Sequence, residues 1–263
     1  MLPLFDSNPT RRVPYVTLAL ILANFAVFLF MLLLPPARYD AFIYRYSVVP
    51  WEIVHAAPLP YPALQQLFSG PVPDVSGKVV YLTLLTSLFL HEGWLHILGN
   101  MLFLWIFGNN VEDVMGHLGF AAFYLVCGVF GTLAHVAVYP RSFNLLLGAS
   151  GSISGVMGAY LVLYPRAWII TLIFIFIVPV PAFVIIGAWI FIQVAQGLTS
   201  VGQGAGGGTA WFAHLGGVAM GLMVTILFHP LLKRRRDGLA LLPERHWWHR
   251  GGSGTEGERG PYY

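Results

Sequence analysis

The chain contains little cysteine and little charge. Cys127 is the only cysteine among 263 residues, so no intrachain disulfide and no cysteine-ligated metal cluster can form. Its place in an apolar run indicates a small buried residue. Only 10% of the residues are charged, whereas 57% are hydrophobic, which departs far from the average of soluble domains. This composition excludes an ordinary soluble enzyme and predicts a membrane protein with several spans.

Acidic residues are absent from a long part of the chain. There is no Asp or Glu between Asp113 and Asp237, which suits segments that must enter hydrocarbon. The same gap leaves no carboxylate in this stretch that could orient a catalytic histidine. Residues 233–236 are all basic and follow an apolar run. This pattern is more typical of a membrane-topology signal than of a surface that binds nucleic acid. We therefore expect the lipid bilayer, and no nucleic acid, as a partner.

Six segments are predicted to span the membrane, because each is apolar and close to the length of about 20 residues that a crossing helix needs. They are residues 14–34, 94–111, 118–138, 150–164, the later part of 168–194 after an apolar entry segment, and 209–228. Residues 79–90 are apolar but too short, and are predicted to lie along or dip into the bilayer. The connection 37–77 is long enough to favour a functional or membrane-surface role. The glycine-rich segment 197–208 is predicted to be a flexible loop.

The basic residues predict the orientation of these spans, which place both termini on one side. Of the 14 Lys and Arg residues, all but four lie in the termini or in the second and fourth connections. The four on the opposite side are Arg38, Arg45, Lys78 and Arg141. By the positive-inside bias both termini are cytoplasmic. The start of the fourth span then lies just inside the outer half of the membrane.

Two polar residues at membrane depth predict chemistry. Ser150 begins the fourth span within Gly148-Ala149-Ser150-Gly151, and His214 lies in the sixth span. Such groups are costly to hold in a bilayer, so each is a functional hypothesis. At a helix start, free backbone N–H groups and the positive dipole end stabilise negative charge on an oxygen. The flanking Gly148 and Gly151 would let a substrate backbone come close.

Each member of this pair also has a structural alternative. Ser152 and Ser154 compete with Ser150 as nucleophile; Ser152 points to a different helix face, whereas Ser154 shares the face of Ser150. We prefer Ser150 because it begins the helix. His214 alone could equally be a packed, hydrogen-bonded core residue, but its occurrence together with Ser150 favours a general base, which must be neutral.

Small residues recur on the two spans that carry the pair. Gly151-x-x-x-Gly155 and Gly217-x-x-x-Gly221 are both typical of closely packed membrane helices. This packing is the structural explanation of the serine-containing motif, and it is compatible with catalysis. Backbone-to-backbone packing of the fourth and sixth spans would bring the histidine to the serine.

His96 and Asn100 are four residues apart, so they share one face of the second span. An imidazole and an amide that face the bundle interior can donate hydrogen bonds to a developing oxyanion. The alternative is an interhelical polar clamp, which is worth about 1 kcal/mol in membrane bundles. Taken alone, the pair favours the clamp.

Two other catalytic patterns are excluded. His91 and His96 resemble a zinc-protease helix, but they are five residues apart rather than four, which rotates them roughly 140° around a helix. The soluble hydrolase motif G-x-S-x-G also fails, because Ser152 occupies its last glycine position. We expect no metal site and no cofactor.

Together these residues resemble the rhomboid family of intramembrane serine proteases, in its bacterial form. The motifs that carry the resemblance are His91-x4-His96-x3-Asn100, Gly148-Ala149-Ser150-Gly151, Ala213-His214-Leu215-Gly216-Gly217 and, after the second span, Val111-Glu112-Asp113. They occur in the family's order, on the second, fourth and sixth spans, and the similarity covers about residues 14–231. One departure concerns the first long loop, where Trp51 is followed by Glu52 instead of the arginine that some relatives carry.

The resemblance implies an all-α membrane protein, a six-transmembrane-helix bundle with a long first external loop. It implies Ser150 as nucleophile and His214 as general base, with no acidic third member. The oxyanion would bind to His96, Asn100 and the backbone N–H of Ser150. The supporting residues would be His91, Gly148, Gly151 and Gly217. The fifth span and the glycine-rich loop would form a lateral gate and cap.

The expected function is a serine endopeptidase that cleaves transmembrane-helix substrates near the outer membrane face. Residues 14–231 would form the protease domain, 1–13 a cytoplasmic segment and 232–263 a basic, disordered cytoplasmic tail, in a prokaryotic plasma membrane. The rival is a non-catalytic rhomboid-like binder of membrane proteins, which would normally lack Ser150 or His214. A transporter would show inverted repeats and charged residues near the midplane, and neither is visible in the sequence.

Overall fold

A computed structural model describes residues 2–68, 72, 74–202 and 209–241. In chain order its elements are β1 (Leu2–Asp6), α1 (Tyr15–Leu32), α2 (Pro36–Tyr46), α3 (Pro50–His55), α4 (Tyr61–Leu67), α5 (Thr83–Thr86), α6 (Trp94–Met115), α7 (His117–Val138), α8 (Ser150–Leu163), β2 (Trp168–Ile173), β3 (Phe176–Pro181), α9 (Ala182–Gly202), α10 (Trp211–Leu227) and α11 (His229–Ala240). Single 3-10 turns, Val80–Leu82 and Ser87–Phe89, flank α5.

Six of these helices occupy the predicted spans: α1, α6, α7, α8, α9 and α10. By length and composition, α1, α7 and most of α9 can each cross a membrane, and α10 passes the same test together with α11, from which it is bent by 79°. The helix α8 is apolar but has only 14 residues, and α6 carries much of the polar chemistry. The predicted six-helix membrane bundle is confirmed. We call its two ends the Ser150 end and the sheet end, after the β-strands that lie at the opposite end from Ser150.

Glycines allow the helices at the centre of the bundle to pack closely, and α8 lies directly against α10 there. A Cβ added to Gly217 would overlap the carbonyl oxygen of Gly151, and one added to Gly221 would overlap that of Gly155. The helix α7 approaches as closely, because a Cβ on Gly131 would overlap the carbonyl oxygen of Ala213. These overlaps mean that only glycine permits the observed distances between the helix backbones.

The first connection is held by a buried polar cluster. Glu52 accepts a hydrogen bond from the Tyr44 hydroxyl at 2.5 Å and from the Leu59 backbone N–H at 2.9 Å. Its second oxygen lies 2.6 Å from the Lys78 ammonium, which is also 3.8 Å above the Tyr44 ring. Burial lowers the pKa of Lys78, and the ion pair with Glu52 opposes this shift. Glu52, the residue at which the sequence departs from some relatives, therefore serves to anchor the loop.

A three-stranded sheet was not predicted. The apolar entry segment to the fifth span forms an antiparallel hairpin of β2 and β3, and β1 pairs with β2 in the order β1-β2-β3. Pro179 and Pro181 lie in β3, an edge strand, which tolerates the missing N–H donors. The N-terminal segment is therefore part of the folded domain.

Two predicted flexible regions begin as helix. The glycine-rich segment was predicted as a loop from residue 197, but α9 continues to Gly202, and residues 203–208 lie outside the described part of the chain. The tail was predicted to be disordered from residue 232, whereas α11 extends to Ala240. The reason is tertiary contact: Arg236 donates to the Leu163 carbonyl at 2.6 Å and Arg235 to the Met115 carbonyl at 3.2 Å. Both cations interact favourably with helix C-termini; residues 242–263 are not described.

Candidate active site

Ser150 is the first residue of α8, and the chain before it is fixed on both sides. Leu146 forms a two-way backbone bridge with Val48 of the first connection, at 2.7 and 3.0 Å. The Gly148 N–H donates to the Ser87 carbonyl at 2.9 Å, and its φ of +118° is a conformation that glycine adopts readily. This turn directs Ser150 into the bundle at the Ser150 end.

His214 meets Ser150 from α10. Its Nε2 lies 2.7 Å from the Ser150 Oγ, which is hydrogen-bonding distance for a nucleophile and its base. The imidazole is buried, with 8% of its surface exposed. The contact follows from the glycine packing described above, because Gly217 lies one helical turn beyond His214 and presses α10 onto the first turn of α8. The structure therefore brings together the two residues that the sequence singled out.

A third side chain completes this arrangement, and sequence reasoning missed it. Gln193 on α9 places its Oε1 2.7 Å from the His214 Nδ1. It is buried, with 4% of its surface exposed. A signal was available, since a polar residue in an apolar span is itself a functional hypothesis. The side of α9 that faces α10 could not be told from the sequence.

His96, Asn100 and His91 form a second polar group beside the pair. The Asn100 Nδ2 donates to the His91 Nε2 at 2.9 Å, and the His91 and His96 rings lie 4.9 Å apart. A Cβ added to Gly148 would lie 2.9 Å from the His96 Nε2. Glycine at this position therefore leaves room for the His96 ring directly beside Ser150. Gly151, by contrast, would accept a Cβ at ordinary contact distances.

One cavity joins these groups. It has a volume of about 640 Å³ and is lined by Ser150, His214, His96 and Asn100, with the exposed Glu92 at its edge. His135 of α7 also lines it, a residue that the sequence reasoning did not single out. A cavity of this size that contains a serine hydroxyl, an imidazole beside it and two further hydrogen-bonding side chains has the kinds of groups that attack on a carbonyl group requires.

The competing serines have other contacts. The Ser154 hydroxyl donates to the Ser150 carbonyl at 2.6 Å, within the same helix. Ser152 is fully buried and its Oγ packs against Gly128 of α7. Within the described residues, no group of three or more His, Cys, Asp or Glu side chains has an arrangement that could hold a metal ion. His91 and His96 remain a pair without further ligands of these types.

Comparison with known proteins finds one matching family and several similar proteins. Residues 79–231 match the Rhomboid domain. Rhomboid protein 1, mitochondrial, of Saccharomyces cerevisiae is 32% identical over 162 residues, which are 59% of this chain and 44% of the relative. Presenilin-associated rhomboid-like protein A, mitochondrial, of Danio rerio is 29% identical over 208 residues, 76% of this chain and 50% of the relative. Rhomboid-like protein 11, chloroplastic, of Arabidopsis thaliana is 39% identical over 83 residues, 32% of this chain and 29% of the relative.

The chain spans half the length of these relatives or less. All three come from eukaryotes and are named for mitochondria or chloroplasts. They therefore give no support to the expected prokaryotic plasma membrane.

Proposed function

The chain belongs to the rhomboid family, and we propose that it is an intramembrane serine endopeptidase that cleaves the transmembrane helices of membrane proteins. The observation that carries the proposal is the 2.7 Å contact between the Ser150 Oγ and the His214 Nε2, within a cavity that also contains donors for an oxyanion. The family was predicted from the sequence and is confirmed. The protein is an integral membrane protein, as its apolar helices also indicate.

In this proposal Ser150 attacks the carbonyl carbon of the scissile bond and His214 takes the hydroxyl proton. The carbonyl oxygen becomes an oxyanion, which His96, Asn100 and the Ser150 backbone N–H stabilise. His214 then returns the proton to the leaving amine as the C–N bond breaks, and the acyl group stays on Ser150. Water, deprotonated by His214, attacks the ester, and the Ser150 hydroxyl is restored when the acid leaves. The cavity supplies room for this water.

The substrate helix must unwind at the cleaved bond, because its backbone hydrogen bonds shield each carbonyl. A site at the end of the bundle meets that requirement better than one at the midplane, since water can satisfy the freed backbone groups there. We therefore place cleavage near the membrane face at the Ser150 end. By the distribution of Lys and Arg this face is the outer one, with both termini cytoplasmic.

This orientation has a direct check. Cys127 is fully buried, so it should react little with a membrane-impermeant maleimide. A cysteine introduced at the exposed Asp40 in the first connection should be labelled from outside intact cells. Labelling only after the membrane is opened would reverse the orientation.

The test of the function uses purified protein and a transmembrane substrate. Ser150→Ala and His214→Ala should each abolish cleavage while the fold persists, and the double variant should be no worse, since the two residues act as a unit. Ser154→Ala is the matched control on the same helix and should keep its activity. Substantial cleavage by Ser150→Ala would reject the proposed nucleophile. Equal activity in all variants would favour a non-catalytic binder with a contaminating protease.

A further inference from the structure

His214, the base in the proposed site, is hydrogen-bonded by Gln193, whose helix carries neither the nucleophile nor the base. Gln193 lies on α9, whereas Ser150 and His214 lie on α8 and α10. The neighbouring side chains of α9, Ile192 and Val194, are exposed on its outer surface. Gln193 is instead directed inward and is buried, which is costly for an amide in an apolar span unless it forms hydrogen bonds.

The hydrogen bonds of Gln193 define the direction of its amide. The Nε2 donates to the Trp189 backbone carbonyl, at 3.4 Å, one helical turn earlier. The Oε1 is then the atom that faces the His214 Nδ1, at 2.7 Å. An amide oxygen carries no hydrogen and can only accept. The Nδ1 must therefore be the protonated nitrogen of a neutral His214.

This protonation state is the one that the proposed reaction requires. With the hydrogen on Nδ1, the Nε2 carries the lone pair and can accept the Ser150 proton. After the transfer both ring nitrogens carry hydrogen, and the Oε1 stabilises the Nδ1–H of the cation. No carboxylate on the described part of α9 could take this role, since residues 168–201 contain no Asp or Glu.

We propose that Gln193 is a positioning residue that selects the reactive tautomer of His214 and orients its ring toward Ser150. The inference rests on the proposed function. It assigns to a neutral amide the orienting role that a carboxylate has in three-residue serine sites. It also makes the state of the base depend on the docking of α9, because any outward movement of that helix removes the acceptor.

Two substitutions separate this role from simple packing. Gln193→Met keeps the length of the side chain but removes the strong acceptor. Gln193→Glu keeps an acceptor and adds a negative charge beside the Nδ1–H. Gln196 lies three residues further along α9 and is exposed, so Gln196→Met is the matched control. Each variant is purified, its thermal stability is recorded, and kcat, KM and the pH dependence of kcat are measured with a transmembrane substrate.

We expect Gln193→Met to lower kcat about tenfold to 100-fold, a part of the roughly 100- to 10,000-fold that a positioned base contributes. KM should stay within about twofold, because the lost interaction does not touch substrate. Gln193→Glu should keep most of the activity, and the midpoint at which its rate rises with pH should move upward by about one pH unit or more, because the carboxylate stabilises the protonated imidazole.

The decisive readout is a fall in kcat in a Gln193→Met variant that keeps the thermal stability of the wild type, since a glutamine that only packs against α10 would leave the rate of the folded protein unchanged. The midpoint shift in Gln193→Glu then shows that the side chain at position 193 faces the imidazole. Among the described residues, the other titratable groups around His214 are His96 of α6, His135 of α7 and Glu92, which lines the same cavity, and none of them is altered. A folded Gln193→Met with the kcat and midpoint of the wild type would overturn the inference, as would Gln193→Glu with an unmoved midpoint. If activity still requires Ser150 in that case, the proposed function stands and only the role of Gln193 falls.

Discussion

Asp6 provides a quantitative prediction about how the sheet is attached to the bundle. Its Oδ2 accepts hydrogen bonds from the Asn110 amide at 2.7 Å and from the Tyr160 hydroxyl at 2.8 Å. Burial raises the pKa of the Asp6 carboxyl from 3.8 to about 7, and the hydrogen bond from Tyr160 opposes this shift. At pH values between 3.8 and about 7, the docked strand β1 therefore holds a proton that the detached strand has lost.

The direction of the pH dependence follows from linkage. Because the pKa is raised in the docked state, the stability contributed by this group is fully present below about pH 4 and is lost as the pH rises through about 7. From about pH 5 upward the detached strand has lost its proton, whereas the docked strand retains nearly all of it at pH 5 and about half of it at pH 7. Each pH unit is worth about 1.4 kcal/mol while the docked carboxyl stays protonated. Because that carboxyl is about half deprotonated at pH 7, docking weakens by about 2.3 kcal/mol, or about 50-fold, from pH 5 to pH 7.

Amide hydrogen exchange of β1, measured by mass spectrometry in detergent at about pH 5 and about pH 7, tests this value. After correction for intrinsic exchange, the protection of β1 in the wild type should fall about 50-fold from pH 5 to pH 7. Asp6→Asn should keep β1 protected equally at both pH values, because a neutral amide still accepts both hydrogen bonds. Asp40→Asn, which alters an exposed aspartate of α2, is the control and should behave as the wild type. Equal pH dependence in Asp6→Asn and the wild type would refute the reasoning.

Three further predictions concern the site and the bundle. Asn100→Ala should lower kcat more than it changes KM, and kcat should fall by up to about 100- to 1000-fold, as for other oxyanion donors. A sharp fall in thermal stability with an unchanged rate of the folded fraction would instead make Asn100 an interhelical clamp. Gly217→Ala should destabilise the protein by about 1–3 kcal/mol or more through overpacking. Gly119→Ala is the control, because its added Cβ would meet Met115 at an ordinary 3.7 Å; it should unfold at the wild-type temperature or slightly above it, since alanine favours a helix more than glycine does. Chelators should leave cleavage unchanged, and a loss with EDTA that zinc restores would overturn the serine mechanism.

The sequence predicted the spans because each is an apolar run of nearly the right length, and a membrane imposes that pattern on every crossing helix. It also predicted that α8 and α10 meet, since Gly155 and Gly221 recur at the helical spacing. The packing makes these glycines necessary: a Cβ on Gly221 would overlap the Gly155 carbonyl oxygen. Local pattern and tertiary contact agree in this part of the chain.

The sheet and the basic helix could not be predicted in the same way. An apolar run such as Trp168–Ile173 fits a strand or a buried helix equally well, and its partner β1 lies more than 160 residues earlier in the chain. The charged residues of α11 have the sequence pattern of a solvated tail. Their ordering depends on tertiary contacts such as the hydrogen bond from Arg236 to the Leu163 carbonyl, which the sequence does not show. Gln193 was missed for a related reason, because its role depends on the rotation of α9 against α10.

The central claim is that Ser150 is a nucleophile activated by His214, and one covalent experiment tests it most directly. The folded wild-type protein is treated with a serine-reactive phosphonate, and the modified residue is identified by peptide mass spectrometry. We predict a single adduct on Ser150, no adduct in Ser150→Ala, a strongly reduced rate in His214→Ala, and wild-type labelling in Ser154→Ala. An adduct on another serine, or labelling of Ser150 at an unchanged rate in His214→Ala, would contradict it.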